Sequence, residues 1–379
     1  MALCEDHRRG RARYTGQYPP HTDCEEHWKI YQAAQAAAPT APPAERVRKA
    51  LSGTERQELV KLREDLNEAR AELELYQQEY RTKPGWLKPP EDTKEHHGTL
   101  LAFLSDTHLS EVVDPDEMGQ YNAFNLAIAE KRLAQFFDRT ILVARHYLAG
   151  VHYDGLVLAL GGDLVSGDIH EELTETNECS TYQAVEWAVP RLRAGVEKLA
   201  EEFGRIHVVS APGNHGRNTK TPRHKKRSVN NADSHIARLL AQHFEGQEGI
   251  SFDVPKSMDV NFEIYGFRFT MEHGDQFKGG DGQVGALGPV KRGVLRKQQQ
   301  AAEEERPFKY MLVGHFHQYV PAASQGFLMN GSLKGYDEYA RAWHFKPEPA
   351  QQALAVVTPE HGITMQAPVL VQKRSDEDW

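Results

Sequence analysis

From about residue 97 onward, short apolar runs alternate with longer amphipathic stretches, which is the pattern of an α/β domain. Two helical patterns, at about 121–149 and 180–203, separate the first three runs, and a strand-rich tail covers about 325–370. The apolar runs predict buried strands at Leu100–Leu104, Leu156–Leu160, Ile206–Val209, Phe262–Met271 and Tyr310–Val313. We therefore expect one large domain over residues 97–370.

The segment before this domain has a helical periodicity. Apolar residues recur there at steps of three and four, namely Leu59, Leu62, Leu66, Ala69, Leu73, Tyr76 and Tyr80. The spacing predicts a helix over residues 53–83, which follows an Ala/Pro-rich linker at 31–52. Two interpretations stay open: the apolar stripe forms a coiled coil that makes a homodimer, or it packs against the chain's own large domain.

The first 30 residues carry two pairs of metal-competent side chains. Cys4 and His7 form one pair, and His21 and Cys24 form the other. Two close pairs of sulfur and nitrogen ligands can complete a tetrahedral zinc site, and a segment this small and polar would need a bound metal ion to fold. The order of the pairs differs from the common zinc-finger arrangement. The alternative for residues 1–30 is a disordered tail that binds no metal.

Composition and charge exclude several classes of protein. The net charge of −9 argues against a basic, nucleic-acid-binding coat over the whole surface. No run approaches the roughly 18 apolar residues that cross a bilayer, and the N-terminus lacks the apolar stretch of a secretory signal, so no membrane partner is expected. The 3 cysteines cannot build a disulfide framework. A reducing, cytoplasmic location is therefore predicted.

Metal-competent residues directly follow each of the predicted strands. The clusters are Asp106-Thr-His108, Gly161-Gly-Asp163, Gly213-Asn-His215, His273-Gly-Asp275 and Gly314-His-Phe-His317. Because functional residues of open α/β sheets gather at the carboxyl ends of strands, we expect these side chains to converge. Any one of the motifs occurs by chance, but the whole series, in this order and always after an apolar strand, indicates a functional site.

The spacing and the residue types favour a pair of transition-metal ions. Side chains two apart face the same way in an extended segment, so Asp106 with His108, and His315 with His317, can each supply two ligands. Mixed imidazole, carboxylate and carboxamide ligands suit Mn, Fe or Zn better than Ca or Mg. Two ions about 3.5–4 Å apart need a bridging carboxylate, and a hydroxide that bridges them can attack phosphorus in line. Manganese is the expected metal, with iron, zinc or cobalt as alternatives.

The series of motifs resembles the calcineurin-like metallophosphoesterase superfamily, over roughly residues 97–370. The resemblance implies a four-layer α/β/β/α sandwich, here with a helical N-terminal appendage. It implies one metal held by Asp106, His108 and His317, a second held by Asn214, His273 and His315, and a bridge between them from Asp163. His215 would be the catalytic imidazole that contacts the phosphate and stabilises charge or protonates the leaving oxygen.

Two points of this assignment stay open in the sequence. Many members of the superfamily have an acidic residue after the Asn-His pair, but Gly216 stands there in this chain. Either another carboxylate, from Asp168 or Glu171, supports His215, or its role in proton transfer is weaker. Asp168 is also an alternative to Asp163 as the bridge, although Asp163 follows its strand directly.

A basic segment next to His215 bears on the substrate. It carries six cations, Arg217, Lys220, Arg223, Lys225, Lys226 and Arg227, in a chain that is acidic overall. Such a concentration could bind the phosphate backbone of a nucleic acid. The alternative is a solvated basic loop that balances the acidic remainder of the chain.

Several longer segments add a second resemblance, to phage- and prophage-encoded metallophosphoesterases. They are residues 167–172, 211–217, 273–281 and 330–339. A more distant resemblance is to DNA repair nucleases of the same superfamily. We therefore predict a phosphodiesterase that hydrolyses nucleic acid, DNA above all, through a metal-bridging hydroxide. The alternatives are a phosphatase or a small-molecule or cyclic-nucleotide phosphodiesterase with the same centre, and a scaffold that binds partners without turnover.

Overall fold

A computed structural model describes residues 56–57, 59–67, 70, 78–89, 96–278, 286–377 and 379. The chain divides into two compact units, Met1–Ala71 and Glu72–Trp379. The predicted zinc ligands Cys4, His7, His21 and Cys24, like the predicted linker at 31–52, lie outside the described residues. None of the helices in the described ranges combines the length and the apolar character needed to cross a bilayer.

The predicted helix over residues 53–83 is described in part. Residues 56–57, 59–67 and 70 are helical. The prediction is wrong at the C-terminal end, because Tyr80–Arg81 form a short strand that pairs antiparallel with Val254 and Asp253. An ion pair of 2.9 Å between Arg81 Nε and Asp253 Oδ1 holds this strand to the sheet edge. Tertiary pairing therefore overrides the helical periodicity at Tyr80.

The described residues of the second unit form two sheets. The strands are β1 (Tyr80–Arg81), β2 (His97–Leu104), β3 (His152–Leu160), β4 (Ile206–Ser210), β5 (Ile250–Val254), β6 (Val260–Ile264), β7 (Phe267–Glu272), β8 (Tyr310–Val313), β9 (Phe327–Met329), β10 (Gln351–Thr358) and β11 (Gly362–Leu370). The larger sheet has the order β1-β5-β4-β3-β2-β10-β11, and its central strands β2 to β5 are parallel. The smaller sheet has the order β6-β7-β8-β9, with β7, β8 and β9 parallel.

One strand prediction needs correction. The single strand predicted over Phe262–Met271 is wrong, because the chain reverses within it to form the antiparallel pair β6 and β7. The turn residues Tyr265 and Gly266 both have positive φ, 53° and 85°. Two consecutive left-handed residues suit the right-handed twist of a tight hairpin, and glycine adopts this conformation without a steric penalty.

Helices flank both sheets. They are α1 (Leu126–Leu142, continued by a π-helical turn at Val143–Tyr147), α2 (Glu171–Thr176), α3 (Thr181–Phe203), α4 (Ala232–His243), α5 (Leu287–Glu303), α6 (Glu338–Ala342) and α7 (Arg374–Glu377). Their starts carry sequence signals: Asn125 and Asn231 cap α1 and α4, and Ser180 with Gln183 forms a capping box at α3.

The alternation of side chains along the strands creates the layers. Leu100 and Leu104 of β2 face a core that α1, α3 and α4 complete, while Leu101 and Phe103 of the same strand face the smaller sheet. The smaller sheet alternates likewise, and Met311 of β8 packs in a third core with residues of α5. Successive side chains of a strand point to opposite faces, so each sheet is covered on both sides. The four-layer α/β/β/α sandwich that the resemblance implies is therefore confirmed.

Candidate metal centre

The loops after β2, β3, β4, β7 and β8 bring the predicted site residues together. Ligand atoms lie within 4.8 Å of one another in three groups: Asp106, His108 and His317; His108, Asp163 and His215; and Asp163, His273 and His315. Seven of the eight predicted residues are in these groups. The eighth, Asn214, directly precedes His215, whose backbone N–H donates a hydrogen bond of 2.7 Å to Asp163 Oδ1.

The first group is arranged around a common point. His108 Nε2 lies 3.1 Å from His317 Nε2, and His317 Nε2 lies 3.4 Å from Asp106 Oδ1. These separations are close to those between ligands that share one ion, about 3.3 Å for a tetrahedral site with bonds of about 2.0–2.1 Å. The three residues therefore fit a divalent cation.

The second group also fits a cation. His273 Nδ1 lies 2.8 Å from the carbonyl oxygen of Gly161, so Nδ1 carries a proton and Nε2, which faces Asp163, is the nitrogen that would bind a metal. Asn214 Oδ1 is buried and forms no hydrogen bond with any described residue. Buried polar atoms are normally satisfied, so this oxygen is the feature that a bound ion would explain.

Asp163 lies between the two groups: it is in the second one, and it is linked to the first through His108, with which it shares a further group that contains His215. It is only 1% exposed, and His273 Nε2 lies 2.8 Å from its Oδ2. Asp168, the alternative bridge, is exposed and instead accepts a hydrogen bond of 2.9 Å from Thr181 Oγ1. The structure thus brings Asp163, and not Asp168, into the cluster.

The backbone at the site is strained. Asp106, His108, Asp163, His315 and His317 all have positive φ, between 46° and 68°. A non-glycine residue in this region costs on the order of 1–2 kcal/mol. Such strain persists where the surrounding structure holds it, and here it turns both Asp-x-His and His-x-His segments sharply at the strand ends.

Two glycines allow the loops to approach the carboxylates closely. A Cβ atom at position 213 would lie 2.1 Å from Asp163 Oδ1, and one at position 314 would lie 2.6 Å from Asp106 Oδ2. Any side chain at Gly213 or Gly314 would therefore displace a predicted ligand.

The pKa values of the predicted ligands are shifted by burial and by their neighbours. Burial would raise the pKa values of Asp106 and Asp163, but neighbouring imidazoles lower both overall. Burial lowers the pKa of His108 and of His315 to about 4, so both rings are neutral at pH 7. Burial alone would lower the pKa of His273 as well, but the carboxylates of Asp163 and Asp106 raise it to about 10. A metal at this position would have to displace the His273 proton.

His215 is oriented by the backbone. Its Nδ1 lies 2.7 Å from the carbonyl oxygen of Ser166, and its ring centroid is 4.6 Å from that of His108. The carboxylate support that Asp168 or Glu171 could have given is therefore not used. Position 216 has no room for an acidic side chain, since a Cβ there would lie 2.6 Å from Asn231 Oδ1 and 3.0 Å from Asp233 Oδ2.

Asp233 is a supporting residue that sequence reasoning missed. It is 0% exposed, and its carboxylate accepts hydrogen bonds from the backbone N–H groups of Asp163, Leu164 and Gly213 at 3.0, 2.9 and 2.8 Å. One side chain thereby holds the loops after β3 and β4 in register. Its position just after the Asn231 cap of α4 reads as a helix start, which gave no sign of this role.

A buried ionic network behind His108 was also missed. His108 Nδ1 lies 3.1 Å from Glu111 Oε2, and Lys334 Nζ lies 2.6 Å from Glu111 Oε1 and 2.5 Å from Asp337 Oδ2. Burial would raise the pKa of Glu111, but the Lys334 ammonium lowers it, so Glu111 stays charged and keeps the ring of His108 in place. The segment 330–339, noted above only for its resemblance, supplies this support.

The six cations of the basic segment divide into two sets. Arg217, Lys220 and Arg227 are engaged within the protein: Arg217 donates to three backbone carbonyls, Lys220 pairs with Glu171 at 2.6 Å, and Arg227 pairs with Asp275 at 2.5 Å. The second set, Arg223, Lys225 and Lys226, is exposed and forms no ion pair with a described residue. The prediction that the six cations bind a phosphate backbone stays a prediction, and the second set is the one without partners in the described part of the chain.

The basic segment adjoins the metal centre. A pocket is lined by Asn214 together with Arg217, Arg223, Lys225, Lys226 and Arg227. The ion pair between Arg227 and Asp275 anchors the loop beside the predicted ligand His273, two residues before Asp275. A phosphate ester at the metal centre would therefore lie next to this loop.

Comparisons with known proteins give little further guidance. No family model and no curated protein matches this chain. Solved structures with some similarity include the sulfate thiohydrolase SoxB of Thermus thermophilus in complex with glycerol (11% identity, 76% of this chain, 60% of that chain, TM-score 0.30). A second is a Saccharomyces cerevisiae serine/threonine phosphatase with similarity to human phosphatase PP5 (10% identity, 80% of this chain, 88% of that chain, TM-score 0.33). A third is a dimetal phosphatase from Danio rerio (11% identity, 72% of this chain, 99% of that chain, TM-score 0.32). The fold and chemistry of this chain rest on its own residues.

Proposed function

We propose that this protein is a metallophosphoesterase with two divalent cations that hydrolyses phosphodiester bonds of nucleic acid, with DNA the favoured substrate. The observation that carries the proposal is the position of Asp163, whose carboxylate is grouped with His108 on one side and with His273 and His315 on the other. In this assignment Asp106, His108 and His317 hold one ion, Asn214, His273 and His315 hold the other, and Asp163 contacts both. Manganese is the expected metal.

When bound, two such cations supply a nucleophile from water and neutralise charge on the phosphoryl group. The chain's own contribution to the chemistry comes from His215. Because the Ser166 carbonyl can only accept a hydrogen bond, Nδ1 of His215 carries a proton and Nε2 is the nitrogen left for the substrate. In the imidazolium form Nε2–H can donate to a phosphate oxygen or protonate the leaving oxygen.

Support for a polymeric substrate comes from the exposed cations. Arg223, Lys225 and Lys226 lie on the rim of the pocket that Asn214 also lines. A groove of about 700 Å³ is lined by Lys83, Arg292 and Arg296, which form no ion pair with a described residue, and by Glu272, which directly precedes the predicted ligand His273. A nucleic-acid backbone carries one charge per phosphate, so cations along a path contribute most when the substrate is long.

One observation favours the alternative of a phosphatase or a small-molecule phosphodiesterase. Half of the basic segment is already neutralised by Glu171 and Asp275 or bound to backbone carbonyls. Three remaining cations are enough for a single phosphate group, whereas nucleic-acid affinity grows with the number of phosphates neutralised.

A substrate panel tests the proposal. We expect the protein loaded with Mn²⁺ to cleave single- or double-stranded DNA, and His215→Ala to slow that cleavage by about 10²–10⁴-fold, the usual contribution of a general acid or base, with unchanged metal content. His224→Ala, which alters an exposed histidine of the basic segment, is the matched control. Turnover of bis(p-nitrophenyl) phosphate or of phosphomonoesters with every DNA and RNA left intact would favour the alternative.

The exposed cations can be tested separately. In the double variant Arg223→Gln/Lys225→Gln, we expect weaker DNA binding. We also expect the slope of the logarithm of the binding constant against the logarithm of the salt concentration to be shallower by about 1–2, since each lost phosphate contact removes about 0.9 from that slope on duplex DNA. The control is Lys256→Gln/Lys346→Gln, which removes two exposed lysines elsewhere. Equal slopes in both variants would assign the loop no role in DNA binding. Fluorescence anisotropy across 50–200 mM salt provides the measurement.

A further inference from the structure

A second group of metal-competent side chains lies at the amino ends of β2 and β3. His97 is the register partner of His152, and Asp154 lies two residues further along β3. His97 Nδ1 is 2.8 Å from Asp154 Oδ1, and His152 Nε2 is 4.0 Å from the same oxygen. One ligand atom from each residue therefore lies within 4.8 Å of the other two.

This group is separate from the candidate metal centre. β2 has 8 residues, and at about 3.3 Å per residue it spans roughly 25 Å. His97 begins the strand, whereas the predicted ligand Asp106 follows its other end. The two sites lie at opposite ends of the strands of the larger sheet, one at the amino ends and the other at the carboxyl ends, and they share no residue.

Asp154 is held in an orientation that suits a metal ligand. Tyr265 donates a hydrogen bond of 2.5 Å from its hydroxyl to Asp154 Oδ2, and the Tyr265 hydroxyl accepts one of 2.9 Å from Thr99 Oγ1. Oδ2 is thus engaged, and Oδ1 faces both imidazoles. Partners of this kind fix ligating carboxylates in metal sites.

No lysine or arginine among the described residues neutralises the charge of Asp154. The carboxylate is 7% exposed, and it forms no ion pair with a lysine or arginine in the described part of the chain. A buried carboxylate is costly unless it is paired or coordinates a metal. A divalent cation between Asp154 and the two histidines would supply that charge.

We infer that His97, His152 and Asp154 form a zinc site at the amino ends of β2 and β3, opposite the strand ends that carry the candidate metal centre. Two imidazoles and one carboxylate are a ligand set that zinc favours, and ligands of a tetrahedral zinc ion lie about 3.3 Å apart. The observed separations of 2.8 and 4.0 Å bracket that value, so small side-chain rotations complete the site. The side chain of His152 is 52% exposed, so an ion could reach the group from solvent and water could complete its coordination.

The bound zinc would join the amino ends of two neighbouring parallel strands. The alternative is a hydrogen-bonded pair of His97 and Asp154 with the ring of His152 against it, at a centroid distance of 4.8 Å from that of His97. Metal binding distinguishes the two, because only the zinc site takes up an ion.

Zinc stoichiometry on the full-length chain tests the inference. After dialysis with Zn²⁺ and removal of excess metal, we expect His97→Asn/His152→Asn to hold one zinc ion fewer per chain than the unaltered protein, by elemental analysis. His361→Asn, which alters a histidine with a side chain 72% exposed, is the control and should hold the full number. The difference does not depend on how many ions bind elsewhere, so it stands or falls apart from the proposed function. Equal zinc content in the double variant and the unaltered protein would overturn the site.

Two further measurements cover failure of the double variant to fold. Tyr265→Phe removes the hydrogen bond that orients Asp154, and we expect one class of zinc ions to bind about 10–100-fold more weakly in it. Crystals of the unaltered protein grown with Zn²⁺ should show an anomalous peak between His97, His152 and Asp154 at the zinc edge. Unchanged zinc affinity in Tyr265→Phe, or the absence of that peak, would leave only the hydrogen-bonded pair.

Discussion

Replacing Asp163 with asparagine is expected to reduce phosphodiester hydrolysis by about 10³-fold or more and to remove at least one metal ion per chain. The carboxylate is grouped with His108 on one side and with His273 and His315 on the other, so loss of its charge would weaken the hold on both cations. Cations contribute several kcal/mol to stabilising charge in the transition state, and each 1.36 kcal/mol is tenfold in rate. Asparagine keeps the size of the side chain and tolerates the φ of 50° at this position.

Asp168→Asn is the matched control for this prediction. Asp168 lies five residues away on the same loop, is exposed and contacts Thr181 rather than the cluster. Its variant should keep its metal content and lose little activity. If Asp168→Asn were the inactive variant and Asp163→Asn kept both ions, the bridging assignment would have to be reversed. Elemental analysis and hydrolysis of bis(p-nitrophenyl) phosphate give both readouts.

Arg132→Met should lower the free energy of unfolding by about 3–5 kcal/mol, the usual effect of removing one partner from a buried ion pair. Arg132 is 0% exposed, and its guanidinium donates to Glu377 Oε1 and Oε2 at 2.9 and 3.0 Å. It also donates to the carbonyl oxygens of Leu333 and Lys334. The variant therefore leaves the Glu377 carboxylate and these carbonyls without their donor, and it loosens the loop that carries Lys334.

The matched control is Arg139→Met on the same helix. Arg139 is only partly buried and donates to Gln135 at 3.1 Å, so its loss should cost less than about 1 kcal/mol. Urea unfolding followed by circular dichroism measures both variants. Equal stability of the two variants would mean that the network around Arg132 contributes no more than the single hydrogen bond of the partly buried Arg139.

The strands that carry the site were predictable because their sequence signal is local. β2, β3, β4 and β8 each contain a short run rich in apolar residues, which is typical of a buried parallel strand. The prediction failed at β6 and β7, where the turn at Tyr265 interrupts a stretch in which apolar residues recur on both sides of the turn. It failed again at Tyr80, whose strand exists only through pairing with β5. In both cases the deciding interaction is between residues that the local pattern cannot relate.

The site divides in the same way. The metal-competent clusters can be identified in the sequence, because glycine, aspartate and histidine at the end of an apolar run indicate a tight turn with metal ligands whatever the fold. The residues that support these clusters cannot be identified in this way. The Ser166 carbonyl behind His215 is a backbone atom that every residue possesses, and the carboxylate of Asp233 reaches two loops from a helix start.

By itself, the sequence determined which side chains could hold cations and at which strand ends they lie. Only the tertiary structure decided that Asp163 rather than Asp168 enters the cluster, that Arg217, Lys220 and Arg227 are engaged within the protein, and that His97 meets His152 and Asp154 at the far edge of the sheet. The physical reason is that burial, pairing and distance depend on residues far apart in the chain, whereas composition and periodicity describe only neighbours.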